Sequence, residues 1–420
     1  MEIVLDKYSL FCLFTKDLVE DNYTLHYTDG SLLRTIYNSK LKINNDYLGM
    51  MKFHDWLPNS AISNHQVGTQ TYKAEKLGKA IGMQNLWITF HGYWPEKGGM
   101  CPTGSFKDME AIPTLIRLKE KGGEGIICAS AGNTARAFSY FCGLENVPLI
   151  VVIGSLHAKR LYLPENHPNS SVKIIVLEDG DYYDAKVFSK KLAANLPNWQ
   201  MEGGVHNVAR RDGIGSLILD AAFKIGKLPI NYFQGIGGGP GPIGVHEMAV
   251  RTIDAGIFEG PAPRQHVSQN VEHCPIHNAW QAKRDHLVDS DFPKKEVDVF
   301  SDFLLNKSPA YAVKGGVYDI LKESNGQTYI VSKEDALSAK ELFETIEGID
   351  IMSPAAVALA SLIQALETGD ISKEECTVLN ISGGGNERIK KELNAKPINP
   401  WKVVSKNHDI FSIIQELQQN

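Results

Sequence analysis

Residues 125–138, Gly125-Ile126-Ile127-Cys128-Ala129-Ser130-Ala131-Gly132-Asn133-Thr134-Ala135-Arg136-Ala137-Phe138, decide the fold class. A short apolar run reads as a buried strand, Ser-Ala-Gly-Asn ends it, and the apolar residues after Asn133 recur at helical spacing. The same unit repeats downstream, with strands expected over 148–153 and 172–177 and helices over 158–163 and 182–195. Strands alternating with helices imply right-handed crossovers and a parallel sheet, so residues 120–204 are expected to form a small α/β domain. A second series follows, with helices over 213–225, 244–255, 333–345 and 355–367 and strands over 231–234, 266–269 and 377–381. Together with residues 1–119, which carry expected strands at 8–14 and 85–90 and helices at 72–81 and 106–120, residues 205–420 are assigned to a large domain. The fold class is therefore α/β, with two domains that each hold a largely parallel sheet flanked by helices. Residues 282–330 read as irregular.

Composition narrows the function. The chain has 420 residues, 43% of them apolar, which is enough for a large core and more than one structural unit. A formal charge of −6 without a long basic run lacks the electrostatic footprint of a nucleic-acid binder. Six scattered cysteines, none in a C-x-x-C pair, fit a reducing cytoplasm and neither a zinc ribbon nor a disulfide framework. No apolar run reaches the roughly 18 residues that a membrane-spanning helix requires. The expected partners are small molecules, with no nucleic acid, membrane or metal.

Four motifs carry chemistry. In Pro102-Thr103-Gly104-Ser105-Phe106-Lys107-Asp108, small residues precede a lysine at a helix start, leaving room for a flat ring against the backbone. A lysine amine condenses with a carbonyl, and pyridoxal phosphate offers that carbonyl together with an electron sink. Ser130, Ala131, Gly132, Asn133 and Thr134 lie between a strand and a helix, where outward N–H groups suit a substrate carboxylate; the Asn133 amide can also meet the cofactor's 3′ oxygen. Gly237, Gly238, Gly239 and Gly241, again between strand and helix, read as a phosphate cradle. Gly239, Gly241 and Gly244 also spell G-x-G-x-x-G, which leaves a dinucleotide-binding oxidoreductase as the alternative from another class, although no acidic residue stands at the required distance. The fourth is Ser382, which ends the last expected strand; in a pyridoxal phosphate site its neutral hydroxyl, facing the pyridine nitrogen, would leave that nitrogen largely unprotonated. Arg210 and Arg211, adjacent at the expected domain junction, are candidates for an oxyanion of the substrate.

In this order and spacing the motifs resemble the fold-type II pyridoxal phosphate enzymes, tryptophan synthase β-like in architecture, and PTGSFKD is similar to the threonine synthase branch. The strings FHDWLP, GYWPEKGG, ASAGNTARAF, NVARRDGIG, HNAWQ and VSKEDALSAKELFETIEGIDI resemble the cysteate synthases, paralogues of threonine synthase, over most of residues 50–395. The resemblance implies replacement of the phosphate of O-phospho-L-serine by sulfite. It further implies Lys107 as the lysine that binds the cofactor covalently, Asn133 as a cofactor contact, residues 237–241 as the phosphate loop, and a homodimer. Pro102 and Gly104 replace a lysine and a cysteine of that family, and Cys12 with Thr15 replaces its N-terminal C-x-x-C. Threonine synthase, a phosphoserine enzyme using sulfide or a nitrogen nucleophile, and a non-catalytic cofactor-binding relative are the competing readings.

Overall fold

The computed structural model describes residues 7–28, 30–130, 132–295 and 297–419. Its larger sheet has six strands in the spatial order Gln327–Val331, Arg264–Asn270, Asn231–Gly235, Thr377–Ile381, Leu86–Phe90 and Gln70–Lys73. All neighbours run parallel except the last pair. The central strands are buried along their whole length, as helices on both faces of a parallel sheet require. The smaller sheet is wholly parallel, in the order Trp199–Met201, Gly125–Ala129, Leu149–Gly154, Val172–Leu177 and Lys402–Val404.

The helix that follows Lys107, Asp108–Glu120, lies between the two sheets and packs on Val208–Ile225 and on Asn133–Leu144. Close approach is built into these contacts. A Cβ on Gly213 would sit 2.1 Å from the Met109 carbonyl oxygen, and one on Gly215 would sit 2.6 Å from that of Gly244, so glycine lets three helix backbones touch. The largest apolar cluster spans this junction, from Met109 and Ile112 through Phe138 and Val151 to Leu217 and Met248. All six cysteines are buried and unpaired. Among the described residues no helix is long and apolar enough to cross a membrane.

Several elements differ from expectation, most of them through pairing with distant parts of the chain. Residues 72–81 divide into an edge strand, Gln70–Lys73, antiparallel to Leu86–Phe90, and a helix, Glu75–Ile81. The segment expected as a helix at 158–163 is a 3-10 turn, Ser155–Arg160, and a short strand, Tyr162–Leu163, which pairs with Lys396–Pro397. The helix expected from 213 starts at Val208, where the Asn207 side chain accepts the Ala209 N–H at 3.1 Å. Within the irregular 282–330 stretch, Val317–Glu323 is helical and Gln327–Val331 is the outer strand of the larger sheet. Residues 402–404, grouped by sequence with the large domain, add to the edge of the smaller sheet, and helix Ile410–Gln419 packs on Tyr182–Asn195 of the same layer. The chain start forms a separate antiparallel sheet of Tyr8–Cys12, Leu18–Val19 and Leu33–Tyr37.

Candidate active site

Lys107 stands at the N-cap of its helix. The loop before it is fastened to the end of the Thr377–Ile381 strand: the Phe106 N–H donates to the Ser382 carbonyl at 3.0 Å, and the Gly384 N–H to the Gly104 carbonyl at 3.0 Å. Ser382 is thereby one residue's reach from the lysine. Asp108, fully buried, accepts the Thr103 N–H at 2.9 Å and also the Thr103 hydroxyl, closing the loop on itself. Burial pushes the Asp108 carboxyl up to about 7, against these hydrogen bonds.

The lysine amine is almost enclosed and lies 3.0 Å from Glu110 Oε2, one helical turn on. The same oxygen is 2.9 Å from Arg210 Nε; that N–H is not aligned on it, so the contact is one of charge more than of hydrogen bonding. Arg210 Nη1 donates to Glu202 Oε1 at 2.6 Å and Nη2 to the Thr134 hydroxyl at 3.4 Å. Burial, then the Arg210 charge, lower the lysine to about 8, while Glu110 works in the opposite direction. For Arg210 itself burial opposes the charge, but Glu110 and Glu202 outweigh it and hold the guanidinium firmly protonated.

Around the Ser130–Thr134 turn, the Gly132 N–H donates to the Ser130 hydroxyl at 3.3 Å, and Asn133 sits between Arg136 Nη2 at 3.2 Å and Met352 Sδ at 3.4 Å. Ala131 lies outside the described residues. The glycine loop leads from strand Asn231–Gly235 into helix Pro240–Asp254. None of the N–H groups of Gly237, Gly238 and Gly239 donates to another described residue. Gly239, at φ +100°, turns the chain into the helix in a conformation that a side chain disfavours.

Arg211 is placed differently from Arg210. Its Nε donates to Glu247 at 3.0 Å, and its two terminal nitrogens donate to the carbonyls of Val205 and Leu33, tying the helix to the N-terminal sheet. All three of its nitrogens are thus taken by the protein itself.

Sequence reading missed three parts of this site. Glu110 and Glu202 carry no motif, and on a helix a glutamate reads as solvent-facing; the i,i+3 spacing from Lys107 to Glu110 was the one available signal. The third is the 3-10 turn Asp302–Leu304 inside the stretch read as irregular. A Cβ on Gly132 would meet Phe303 Cε1 at 3.3 Å, one on Gly237 would meet Leu304 Cα at 3.3 Å, and one on Gly238 would meet Asn306 Nδ2 at 2.9 Å. One short segment therefore lines both the asparagine turn and the glycine loop.

The chain thus carries a largely buried amine of lowered basicity, a loop at a helix start whose amides donate to no described residue, and a strand-end serine whose carbonyl accepts from the residue before the lysine. Residues 62–383 match the family model described as pyridoxal-phosphate dependent enzyme. The chain belongs to that family. Its cofactor is pyridoxal phosphate, and the donor set fits the group: the Gly237–Gly239 amides suit its phosphate and the Lys107 amine its aldehyde. This enzyme is 44% identical to a cysteate synthase of Methanocella arvoryzae over 94% of this chain and 95% of the relative. It is 42% identical to a cysteate synthase of Methanosarcina barkeri over 91% of this chain and 92% of that one. At that identity over nearly full length, the enzyme belongs with the cysteate synthases. Among solved structures, serine racemase of maize aligns with a TM-score of 0.58 and 15% identity over 84% of this chain and 92% of its own. A serine racemase of Dictyostelium discoideum aligns at 0.54 and 17% over 76% and 92%. These two likenesses bear on the fold alone.

Proposed function

We propose that the enzyme is a cysteate synthase, replacing the phosphate of O-phospho-L-serine with sulfite to give L-cysteate. The observation that carries the reading is the largely enclosed Lys107 amine, joined through Glu110 to Arg210, in a chain similar along nearly its whole length to cysteate synthases. Pyridoxal phosphate, when bound, supplies the carbonyl for condensation and the electron sink that stabilises negative charge at Cα.

The chain's own residues do the rest. The amides of Ser130, Gly132 and Thr134, at the start of helix Asn133–Leu144, hold the substrate carboxylate. Lys107 Nζ takes the proton from Cα and returns it after replacement. Its lowered basicity suits both directions, because at near-neutral pH the amine and ammonium forms are close in free energy. Phosphate departs from Cβ with the electrons of the C–O bond, and the sulfur lone pair of sulfite forms the new C–S bond. Arg210, beside Thr134, supplies positive charge on the substrate side, but Glu110 and Glu202 already neutralise part of it, so amides share the departing anion. Arg211 is left to structure. Asn133, Gly241 and Ser382 complete the cofactor's surroundings in this reading, and the homodimer and cytoplasmic location come with the family resemblance.

The test is incubation of holoenzyme with phosphoserine and, separately, phosphohomoserine, each with sulfite, sulfide, cyanide or an amine. Phosphate release and product mass are the readouts. Phosphate and cysteate from phosphoserine with sulfite are expected; release from phosphohomoserine alone would establish threonine synthase chemistry instead.

A further inference from the structure

Glu110 is wholly buried, and a buried carboxylate is tolerated only where its charge is compensated. Here two cations share one oxygen: Oε2 lies 3.0 Å from Lys107 Nζ and 2.9 Å from Arg210 Nε. The other oxygen, Oε1, has no hydrogen-bond partner among the described residues. With Glu202 on the far side of Arg210, the cluster holds two carboxylates and two cations, so it is neutral while Lys107 is an ammonium and carries one negative charge when Lys107 is an amine. Every cycle in which the lysine gives up a proton leaves one carboxylate short of a counter-charge. Glu110 is the carboxylate in contact with that nitrogen.

An ordinary structural ion pair is the competing explanation, and two features argue against it. The first turn of the lysine helix is already fastened by Asp108, through both the backbone and the hydroxyl of Thr103. A pair kept only for anchoring also has no use for a second oxygen buried without a partner, which is costly in the interior. The carboxylate that touches the reacting amine through Oε2 thus has a second oxygen that no described residue uses.

We propose that Glu110 is a catalytic residue, the second acid–base group of the reaction, holding the proton of Lys107 while its amine is free and handing it back. This deepens the function proposed above and rests on it. In the forward step the Nζ–H bond breaks, its electron pair stays on nitrogen, and an O–H bond forms on a carboxylate lone pair; the return step reverses both. No electron changes hands and no co-reactant is needed. The other titratable groups facing this cluster are Asp108, Cys128 and Tyr182, besides Arg210 and Glu202. Burial pushes the Cys128 thiol and the Tyr182 phenol up, which keeps both neutral, and Asp108 is already committed to Thr103. None of these competes with Glu110 for the lysine proton.

The experiment compares wild type, Glu110→Gln and Glu110→Asp as holoenzymes. It reads kcat and KM against pH with phosphoserine and sulfite, and cofactor loading from the visible band. Separately, modification of Lys107 by an amine-selective reagent is followed against pH by peptide mass spectrometry on cofactor-stripped protein. E110Q should lower kcat about 10²- to 10⁴-fold, the usual contribution of a positioned acid–base group, with KM changed far less and cofactor still bound. Its Lys107 modification midpoint should fall below that of wild type, because the neighbour that favours the ammonium is gone. E110D, which keeps a carboxylate withdrawn by one methylene, should fall between the two, and Glu110→Leu, which removes the carboxylate, stands in if E110Q does not fold. A kcat within threefold of wild type in E110Q, or in Glu110→Leu where E110Q is not obtained, overturns the proposal, as does an unmoved Lys107 midpoint. Should wild type release no phosphate from phosphoserine with sulfite, the functional reading fails, and the midpoint shift still reports on Glu110.

Discussion

Arg210 and Arg211 are neighbours in the chain, have the same chemistry and are both buried, yet they serve different parts of the molecule. Arg210 leans on Glu110 and Glu202 beside the reactive amine. Arg211 pairs with Glu247, which Arg34 also reaches at 3.1 Å, and secures two backbone carbonyls, one of them in the N-terminal sheet. A helix turns about 100° per residue, so consecutive side chains face different neighbours. The difference teaches that burial of a cation does not by itself mark a site. What separates the two is the company: a titrating lysine and an unused carboxylate oxygen around Arg210, against saturated donors on Arg211.

The largest effect should come from Arg211. Replacing it by methionine strands Glu247, 2% exposed at its side chain, without its closest partner, and removing one member of a buried pair typically costs about 3–5 kcal/mol. Urea unfolding of Arg211→Met should show a loss of that order while the modification midpoint of Lys107 stays put. The pH dependence follows the same logic. Burial works against the Glu247 charge, but Arg211 and Arg34 hold its carboxyl below the usual range. A depressed carboxyl contributes stability above its unfolded value and loses it as pH falls through the folded one. Wild type should therefore lose this contribution in acid, and the variant should have little left to lose. A variant as stable as wild type would erase the contrast between the two arginines.

Next in size is Arg210→Met, read in activity and titration. The guanidinium is the leading electrostatic cause, after burial, of the lowered basicity of Lys107. Without it, and with Glu110 and Glu202 no longer shared, the ammonium is favoured and the midpoint should rise above that of wild type, opposite in sign to E110Q. The kcat profile should move to higher pH with it. The stability profile changes as well. A lysine whose folded pKa is lowered binds its proton more weakly in the folded than in the unfolded chain, so wild type gains stability as pH rises between about 8 and the ordinary value near 10.5. Arg210→Met should flatten that gain. An unshifted or downward midpoint would mean that Arg210 does not act on the lysine.

The same pair shows where sequence reading stops. The lysine string, the asparagine turn and the glycine loop were legible because each is a local turn whose residue types follow from the backbone it must adopt. The alternation of strands and helices through 125–195 was legible as well, except at 158–163, where a 3-10 turn and a short strand stand in place of the expected helix. Which of two adjacent arginines faces the cleft depends on helical phase, and the helix begins at Val208, five residues before the start read from its apolar spacing. Glu110 and Glu202 stayed hidden because burying a charge inverts the polar-outside rule on which amphipathic reading depends. The strand Lys402–Val404 pairs with Val172–Leu177 from the far end of the chain, and no local pattern announces such a partner.

A third arginine supplies the smallest and most discriminating effect. Arg160, in the turn after strand Leu149–Gly154 of the smaller sheet, pairs with Asp302, and its guanidinium lies 5.5 Å from the centre of the Phe303 ring. It thus reaches the same 302–306 segment that lines the asparagine turn and the glycine loop. Unlike Arg210 and Arg211, this pair is open to solvent, its side chains 35% and 36% exposed, so water and salt screen the attraction. Asp302→Asn should cost no more than about 1 kcal/mol in urea unfolding, and less at high salt. If the segment needs the pair to stay seated against Gly132, KM for the phosphorylated amino acid should rise while kcat holds, since loss of uniform binding affects KM alone. A stability loss as large as that of Arg211→Met would show that exposure is the wrong guide to which arginines hold the fold together.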